Sequence, residues 1–214
     1  MKRIAICFWG QTRTERGLDN CYKKLKSQNV QYDFFVSTWD DFESKNIFDF
    51  CVKKEFIKPD VLDFINHTDR ASYLIHRVNS LKTQHELENN FIYDYVLWTR
   101  SEIQFEPNDL LKLFYSKLAH HETYELNVHS DDLKTDDDGN PYLNADYYFL
   151  GTSLSFDLYS TGWKQYYKCK NPHNGKHGGH NYHGWVIDNL PLKVVSVVPK
   201  HEFLCNKQKP KEVR

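Results

Sequence analysis

Short apolar runs alternate along this chain with longer segments in which apolar residues recur every three or four positions. Side chains repeat every two residues in a strand and every 3.6 in a helix, so the runs predict strands and the periodic segments predict helices. The predicted strands are Arg3–Trp9, Tyr32–Trp39, a short stretch within Phe48–Ile65, Tyr93–Thr99, Asp146–Gly151 and Lys193–Val198. The predicted helices are Leu18–Gln28, Asp69–Asn89, Pro107–Leu118 and Leu154–Tyr167.

This alternation is typical of an α/β fold in which a mainly parallel sheet lies between helices. We predict that fold as a single domain over residues 1–214, because the length supports one sizeable core and the chain shows no repeat or low-complexity linker. The polar segment Ser130–Asn140 predicts turns. The segment Lys168–Gly184 is rich in Gly, His, Asn and Lys, and it predicts a flexible loop over the functional site.

Composition narrows the class of protein. A formal net charge of -1 argues against wrapping duplex DNA by bulk positive charge, although a local basic groove stays possible. No apolar run approaches the roughly 20 residues of a membrane span, and the start lacks the features of a signal peptide. An odd number of cysteines without CxxC spacing argues against a disulfide framework or a cysteine zinc site. We therefore expect a reducing, cytoplasmic location, which is the host cytoplasm for a viral protein. The cysteines are Cys7, Cys21, Cys51, Cys169 and Cys205.

One predicted strand runs into a charged tetrad, Thr99-Arg100-Ser101-Glu102, within the segment YDYVLWTRSEIQF. Strand alternation predicts that Arg100 and Glu102 share a face. Two charges at the end of a buried strand are costly unless they meet each other or a polar ligand. Ligands of open α/β sheets bind at the carboxyl ends of strands, so we predict a site here. The structural alternative is an ion pair, for example with Arg77.

The ends of the first two strands offer further ligand-binding side chains. Gly10 lets a backbone approach a ligand closely, and the planar fork of Arg13 matches phosphate oxygens. Gln11 lies between them, and Thr38 with Trp39 ends the second strand. The pattern is neither a P-loop nor a GxGxxG fingerprint. The alternatives are a turn glycine, a surface cation and, for Trp39, a half-buried packing position instead of a stacking platform.

Basic side chains and one carboxylate complete the candidates. A solvated face is the favoured interpretation of the helix Asp69–Asn89 and its cations. These cations are Arg70, His76, Arg77, Lys82 and His85. Asp146 enters a predicted strand, where it either acts as a general base or caps an Asx-type turn.

Four histidines fall in the Gly-rich segment, with spacing that suits zinc or a manganese site. An equally good interpretation is a loop that positions one histidine near a substrate. The four are His173, His177, His180 and His183.

Four segments together resemble a glycosyltransferase family of the nucleotide-sugar-binding, GT-A-like type, associated with lipopolysaccharide or capsule synthesis and also found in phages and large viruses. Ile4–Arg13 resembles its opening strand with a Gly-Gln-x-Arg loop, and Asp33–Trp39 its second strand ending in Thr-Trp. Tyr93–Phe105 resembles a strand that ends in Thr-Arg-Pro-Asp in such proteins. Asp146–Ser160 resembles a later strand and helix near the acceptor.

The resemblance implies a GT-A-like (Rossmann-like nucleotide-binding) domain that transfers a sugar from a nucleoside-diphosphate sugar to a hydroxyl acceptor. We hypothesise that Asp146, or a histidine of the Gly-rich segment such as His183, deprotonates that acceptor. The residues implied to hold the donor are Gly10, Gln11, Arg13, Thr38, Trp39, Arg77, Arg100 and Glu102.

The tetrad stands where other sugar transferases place a metal-binding Asp-x-Asp. Here Arg100 occupies the position of the first aspartate, and Ser101-Glu102 replaces Pro-Asp. Two expectations follow for the diphosphate charge. Either Glu102 binds a divalent cation, Mn²⁺ or Mg²⁺, or Arg100 with Arg13 and Arg77 carries that charge without a metal.

The sequence leaves the identity of the acceptor substrate open. A surface glycan is the majority expectation for such sequences. The basic, aromatic segment Lys168–His183 also suits an enzyme that glycosylates hydroxymethylated bases of phage DNA. A non-catalytic nucleotide- or sugar-binding module of the same fold is the alternative, favoured by the missing second acid.

Overall fold

A computed structural model describes residues 1–12, 18–19, 21–25, 29–40, 45–58, 67–120, 125–129, 133–135, 141–143, 148–168, 189–197 and 201–203. Strands and helices follow one another along this part of the chain. In order they are β1 (Lys2–Trp9), β2 (Val30–Trp39), β3 (Lys53–Ile57), α1 (His67–Asn89), β4 (Tyr95–Thr99), β5 (Ile103–Phe105), α2 (Pro107–His120), β6 (Glu125–His129), β7 (Leu133–Thr135), β8 (Pro141–Leu143), β9 (Tyr148–Gly151), α3 (Ser153–Lys168), β10 (Lys193–Val197) and β11 (His201–Phe203).

Seven of the strands form one mixed sheet in the order β10-β6-β9-β4-β1-β2-β3. Strand β9 runs antiparallel to its neighbours β4 and β6, whereas the other paired strands of this sheet are parallel. Two short antiparallel pairs, β5 with β11 and β7 with β8, lie outside it. The prediction of an α/β fold with a mainly parallel sheet is confirmed, whereas the reversed direction of β9 was not predicted.

Strand β1 shows why the apolar runs are continuous. Alternate side chains point to opposite faces, and both faces are covered. One face packs with residues of α1 and α3, and the other packs with residues of α2 and the segment around Tyr22. The side chains on the first face are Ala5, Cys7 and Trp9, and those on the second are Ile4, Ile6 and Phe8. The sheet therefore lies between helices, as predicted.

Of the predicted helix Leu18–Gln28, Leu18 and Asp19 are helical, whereas the prediction is wrong for residues 21–25. Tyr22–Lys24 forms a 3-10 helix, and Leu25 that follows is extended. The Tyr22 ring packs edge-on against Phe8 and against Phe105. The helix-like spacing of apolar residues therefore reflects packing into the core and not a continuous helix.

Several short strands were not predicted from the sequence pattern. The segment Ser130–Asn140, predicted as turns, contains β7, which pairs with β8. β5 and β11 were not predicted either, and each has three residues. Three residues are too few to show a period, so such strands are visible only through their partners.

A buried network of charges joins α1 to α3. Lys82, predicted on a solvated face, is fully buried. Its ammonium group donates to Glu86 Oε2 (3.0 Å), to Asp157 Oδ1 (3.0 Å) and to Ser153 Oγ. These three acceptors match the three donors of an ammonium group. Two of the partners come from α3, which is why helix periodicity alone could not indicate this burial.

The same network also holds the segment just before β4, the strand that leads to the tetrad. Glu86 Oε1 accepts hydrogen bonds from Ser153 Oγ (2.7 Å) and from the backbone N–H of Tyr93 (2.8 Å). The position of β4 is therefore linked to Lys82 through Glu86.

We expect Lys82→Met to lower the free energy of unfolding by about 3–5 kcal/mol, because it leaves Glu86 and Asp157 without their buried counter-ion. Denaturant unfolding measures this value. Lys112→Met is the matched control, since Lys112 also pairs with an aspartate but is 79% exposed. Equal stability of the two variants would contradict the role given to Lys82.

Candidate functional site

The strand order reverses between β1 and β4. The chain passes from β1 to β2 and β3 on one side, and β4 then joins the other side of β1. Because β1, β2 and β4 are parallel, their carboxyl ends meet at one edge of the sheet. Ligands of open α/β sheets bind in the crevice outside such a switch point. The predicted site residues that follow these strands therefore share one edge.

The loop after β1 is held by the end of β2. Gly10 has a φ of +94°, a conformation that other residues rarely adopt. Thr38 Oγ1 donates to the carbonyl oxygen of Gly10 at 2.6 Å, and the Thr12 hydroxyl lies 3.2 Å from that of Thr38. A Cβ atom on Gly10 would lie 3.8 Å from Cγ of Arg100. The loop after β1 therefore contacts the end of β2 and lies close to Arg100, which follows β4.

The charged tetrad forms a turn between β4 and β5. The N–H of Ile103 donates to the carbonyl oxygen of Arg100 at 3.1 Å. Arg100 Nε donates to Glu102 Oε1 at 2.9 Å, and Nη2 donates to the same oxygen. Arg100 is 9% exposed and Glu102 is fully buried. The two charges meet each other, as the cost of burial requires, but across a turn and not through strand alternation.

Polar contacts also support both sides of this turn. Ser101 Oγ lies 3.4 Å from Glu102 Oε2, and the hydroxyl of Tyr22 lies 3.2 Å from that of Thr99. Burial raises the pKa of Tyr22 well above its usual value, so this phenol stays protonated. The Arg100–Glu102 pair is therefore buried and surrounded by further polar contacts.

The two carboxylates described at these strand ends both have cationic partners. Asp40, after β2, forms an ion pair with Lys45, and Glu102 forms one with Arg100. Divalent cations such as Mg²⁺ need several oxygen ligands. No group of three or more His, Cys, Asp or Glu among the described residues is placed to hold a metal ion. These residues alone do not fit a divalent cation, and a metal role for Glu102 stays a prediction.

Trp39 is buried against helix α1. It is 8% exposed, and its ring stacks on Tyr73 with centroids 6.4 Å apart. Arg70 places its guanidinium carbon 6.0 Å from the centroid of the Trp39 ring. The structure thus gives Trp39 the packing position that the sequence left as an alternative.

Arg70 was not among the predicted site residues, yet its contact with Trp39 brings it to the end of β2. It lies near the start of α1, where the helix dipole disfavours a cation. That unfavourable placement is the sequence signal that could have identified it.

Arg77 is bound elsewhere in the fold. Its Nε donates to Glu55 Oε2 at 3.0 Å, and this hydrogen bond raises the pKa of Arg77. Glu55 belongs to β3, the edge strand, which is separated from β1 by β2. The ion pair considered between Arg77 and the tetrad is therefore not formed, and a donor-binding role for Arg77 stays a prediction.

Several predicted residues lie outside the described part of the chain: Arg13, Asp146, His173, His177, His180 and His183. Strand β9, which follows Asp146, begins with Tyr148 opposite Thr99. The first described residue after Asp146 therefore neighbours the end of β4. Gln11 is described and exposed, directly after Gly10.

Asp33, in the segment that resembles the family's second strand, lies away from the carboxyl ends of the strands. Asp33 pairs in register with Ala5, before the carboxyl end of β1. The Tyr93 hydroxyl donates to Asp33 Oδ2 at 2.9 Å and lies 3.0 Å from Nδ1 of His85. Burial and the Asp33 carboxylate raise the pKa of Tyr93. Asp33 therefore stabilises the entry into β4 and does not belong to the candidate site.

Comparison with known proteins yields no family. Neither the scan against family models nor the search of curated proteins gives a match to this chain. No helix in the described ranges has the length and apolar character needed to cross a membrane.

We expect Gly10→Ala to destabilise the protein by about 1–3 kcal/mol, because a side chain at positive φ is strained even where space permits it. Denaturant unfolding measures the change. Asn90→Gly is the matched control, since Asn90 has a φ of 53° and glycine relieves that conformation. If alanine is tolerated at position 10 without loss, the loop does not require glycine.

Proposed function

We propose that this protein is a nucleotide-sugar-dependent glycosyltransferase of GT-A-like fold that transfers a sugar to a hydroxyl acceptor. The observation that carries the proposal is the Arg100 side chain, whose guanidinium is bound by Glu102 and whose Cγ lies close to Gly10 at the switch point of the sheet. Such a crevice suits a nucleotide, and a fixed guanidinium suits its diphosphate.

The orientation of Arg100 supports a role in binding the donor. Glu102 engages Nε and Nη2 and so fixes the plane of the guanidinium fork. Planar N–H donors match phosphate oxygens in a bidentate manner. The absence of a side chain on Gly10 lets a phosphate approach the backbone of the loop, which Thr38 holds in place.

The proposed reaction breaks the bond between the sugar and the diphosphate. Negative charge develops on the departing diphosphate, and a preorganised cation lowers the energy of that transition state. Arg100 supplies this cation in the proposed reaction. Asp146 or His183 is the proposed base that removes the proton of the acceptor hydroxyl.

A second function has one observation in its favour. Glu102, the only acid left in the tetrad, is already neutralised by Arg100. A non-catalytic module that binds a nucleotide or a sugar would need no more than this. Donor binding without product, over a panel of glycan and DNA acceptors, would support the module and exclude the transferase.

We expect the double variant Arg100→Gln/Glu102→Gln to bind nucleoside diphosphates and their sugars at least about tenfold more weakly, since charge-assisted hydrogen bonds are lost. Replacing both partners avoids a single unpaired buried charge. Thermal shift with a panel of nucleotides finds the ligand, and calorimetry measures its affinity. The control is Lys53→Gln/Glu88→Gln, which removes an ion pair between β3 and α1.

The same binding assay tests whether the donor site needs a divalent cation. Glu102→Gln should keep donor binding within a few fold, and a chelator should leave it unchanged. Binding that needs Mn²⁺ and is lost in Glu102→Gln would reverse the assignment in favour of a metal site. Unchanged affinity in the double variant would remove the diphosphate role of Arg100.

For the acceptor, we expect no salt-sensitive DNA binding, because a formal net charge of -1 provides no bulk attraction to phosphates. Fluorescence anisotropy with a duplex containing hydroxymethylcytosine, between about 50 and 200 mM salt, tests this. A steep decrease of affinity with salt would instead identify modified DNA as the acceptor. An unmodified duplex separates base recognition from contacts to the phosphates.

A further inference from the structure

A groove of about 520 Å³ lies between α1 and α3. It is lined by side chains of both helices, and none of them belongs to the strand-end loops or to the tetrad. Its lining includes Asp157, one of the two carboxylates that share the buried ammonium of Lys82. The groove is therefore a separate feature from the proposed donor site.

The carboxylate of Asp157 is held by one of its oxygens. Oδ1 accepts from Asn79 Nδ2 at 2.8 Å, from Lys82 Nζ at 3.0 Å and from Thr83 Oγ1 at 3.0 Å. Oδ2 accepts no hydrogen bond from the described residues, and the side chain is 36% exposed. Asp157 thus presents a rigid, negatively charged acceptor to the groove.

The hydroxyl groups of Ser80, Thr83 and Thr161 could accept hydrogen bonds from a ligand, because each already donates its proton within the protein. Ser80 Oγ donates to the carbonyl oxygen of His76 (2.9 Å), Thr83 Oγ1 donates to Asp157, and Thr161 Oγ1 donates to the carbonyl oxygen of Leu158 (2.8 Å). A hydroxyl has one proton and two lone pairs, so these groups have only lone pairs left for a ligand.

Asn79 adds a second observation. Its Oδ1 is buried and has no hydrogen-bond donor among the described residues. A buried acceptor without a donor is costly. Both observations point to a ligand that brings donors and not acceptors.

The charge of the network points to a cation. One ammonium, Lys82, faces two carboxylates, Glu86 and Asp157, which leaves a net charge of -1. Glu86 is 5% exposed, and both of its oxygens accept hydrogen bonds inside the protein. The uncompensated charge therefore reaches solvent at Asp157.

We propose that this groove binds a primary ammonium group carried on an apolar stem. The three donors of an ammonium group match Asp157 Oδ2 and the neighbouring hydroxyl oxygens. Its charge neutralises the network, which a neutral sugar would not do. Leu87, 78% exposed at the lining of the groove, provides apolar contact for the stem. A free diamine and a lysine side chain of a partner protein carry the same chemistry.

The experiment uses the full chain and two probes, 1,5-diaminopentane and lysine blocked at both backbone ends, with 1-pentanol as the neutral control. NMR titration measures their affinities. We expect at least one amine to bind, pentanol to bind at least about tenfold more weakly, and Asp157→Asn to weaken the amine at least about tenfold. Asp109→Asn is the matched control, because Asp109 is 38% exposed and also pairs with a lysine.

A second variant keeps the buried network intact. Thr161→Lys places an ammonium group one helical turn from Asp157, so it should occupy the groove and block the probe without unfolding the protein. Binding of the diamine alone would assign a free amine, and binding of blocked lysine alone a protein side chain. The proposal is overturned if neither amine binds, if pentanol binds equally well, or if Thr161→Lys leaves amine binding unchanged.

Discussion

Strand β1 is covered on both faces and paired with parallel strands along both edges, so polar chemistry can begin only beyond its carboxyl end. The residues of β4 are likewise all buried, although its second neighbour β9 is antiparallel. The chain places Gly10 and Arg100 directly after the two strands. Contact between these residues follows from the parallel register and requires no separate device to bring them together.

The buried charged side chains of the described core have hydrogen-bond partners, and the ion pairs of Lys82 and of Arg100 differ in how those partners are arranged. Lys82 uses its three donors on three acceptors within the protein, so its role is to hold α1, α3 and β4 together. Arg100 pairs with the carboxylate of Glu102, which engages Nε and Nη2 of its guanidinium. Removing one partner from either cluster leaves a buried charge, which is why paired substitutions are more informative than single ones.

The sequence was sufficient to predict the central strands, because long apolar runs are a local signal. It also predicted that Gly10, Thr38, Arg100 and Glu102 lie together, because the carboxyl ends of parallel strands share one side of the sheet. The sequence was insufficient where the burial or position of a side chain depends on a partner that is distant along the chain. The burial of Lys82 depends on Ser153 and Asp157, and the position of Arg77 depends on Glu55. Antiparallel pairing of β9 likewise leaves no mark on a buried strand of four residues.

The pairing of charges at the carboxyl edge favours an anionic ligand over a metal ion. A divalent cation would have to compete with Lys45 for Asp40 and with Arg100 for Glu102. Such competition would leave a cation of the protein without its partner, at the cost of a buried pair in the case of Arg100. A diphosphate is itself a hydrogen-bond acceptor, so it would not take Asp40 or Glu102 as a ligand as a divalent cation would. In the proposed transferase, Arg100 would therefore supply the cation that a metal ion supplies elsewhere.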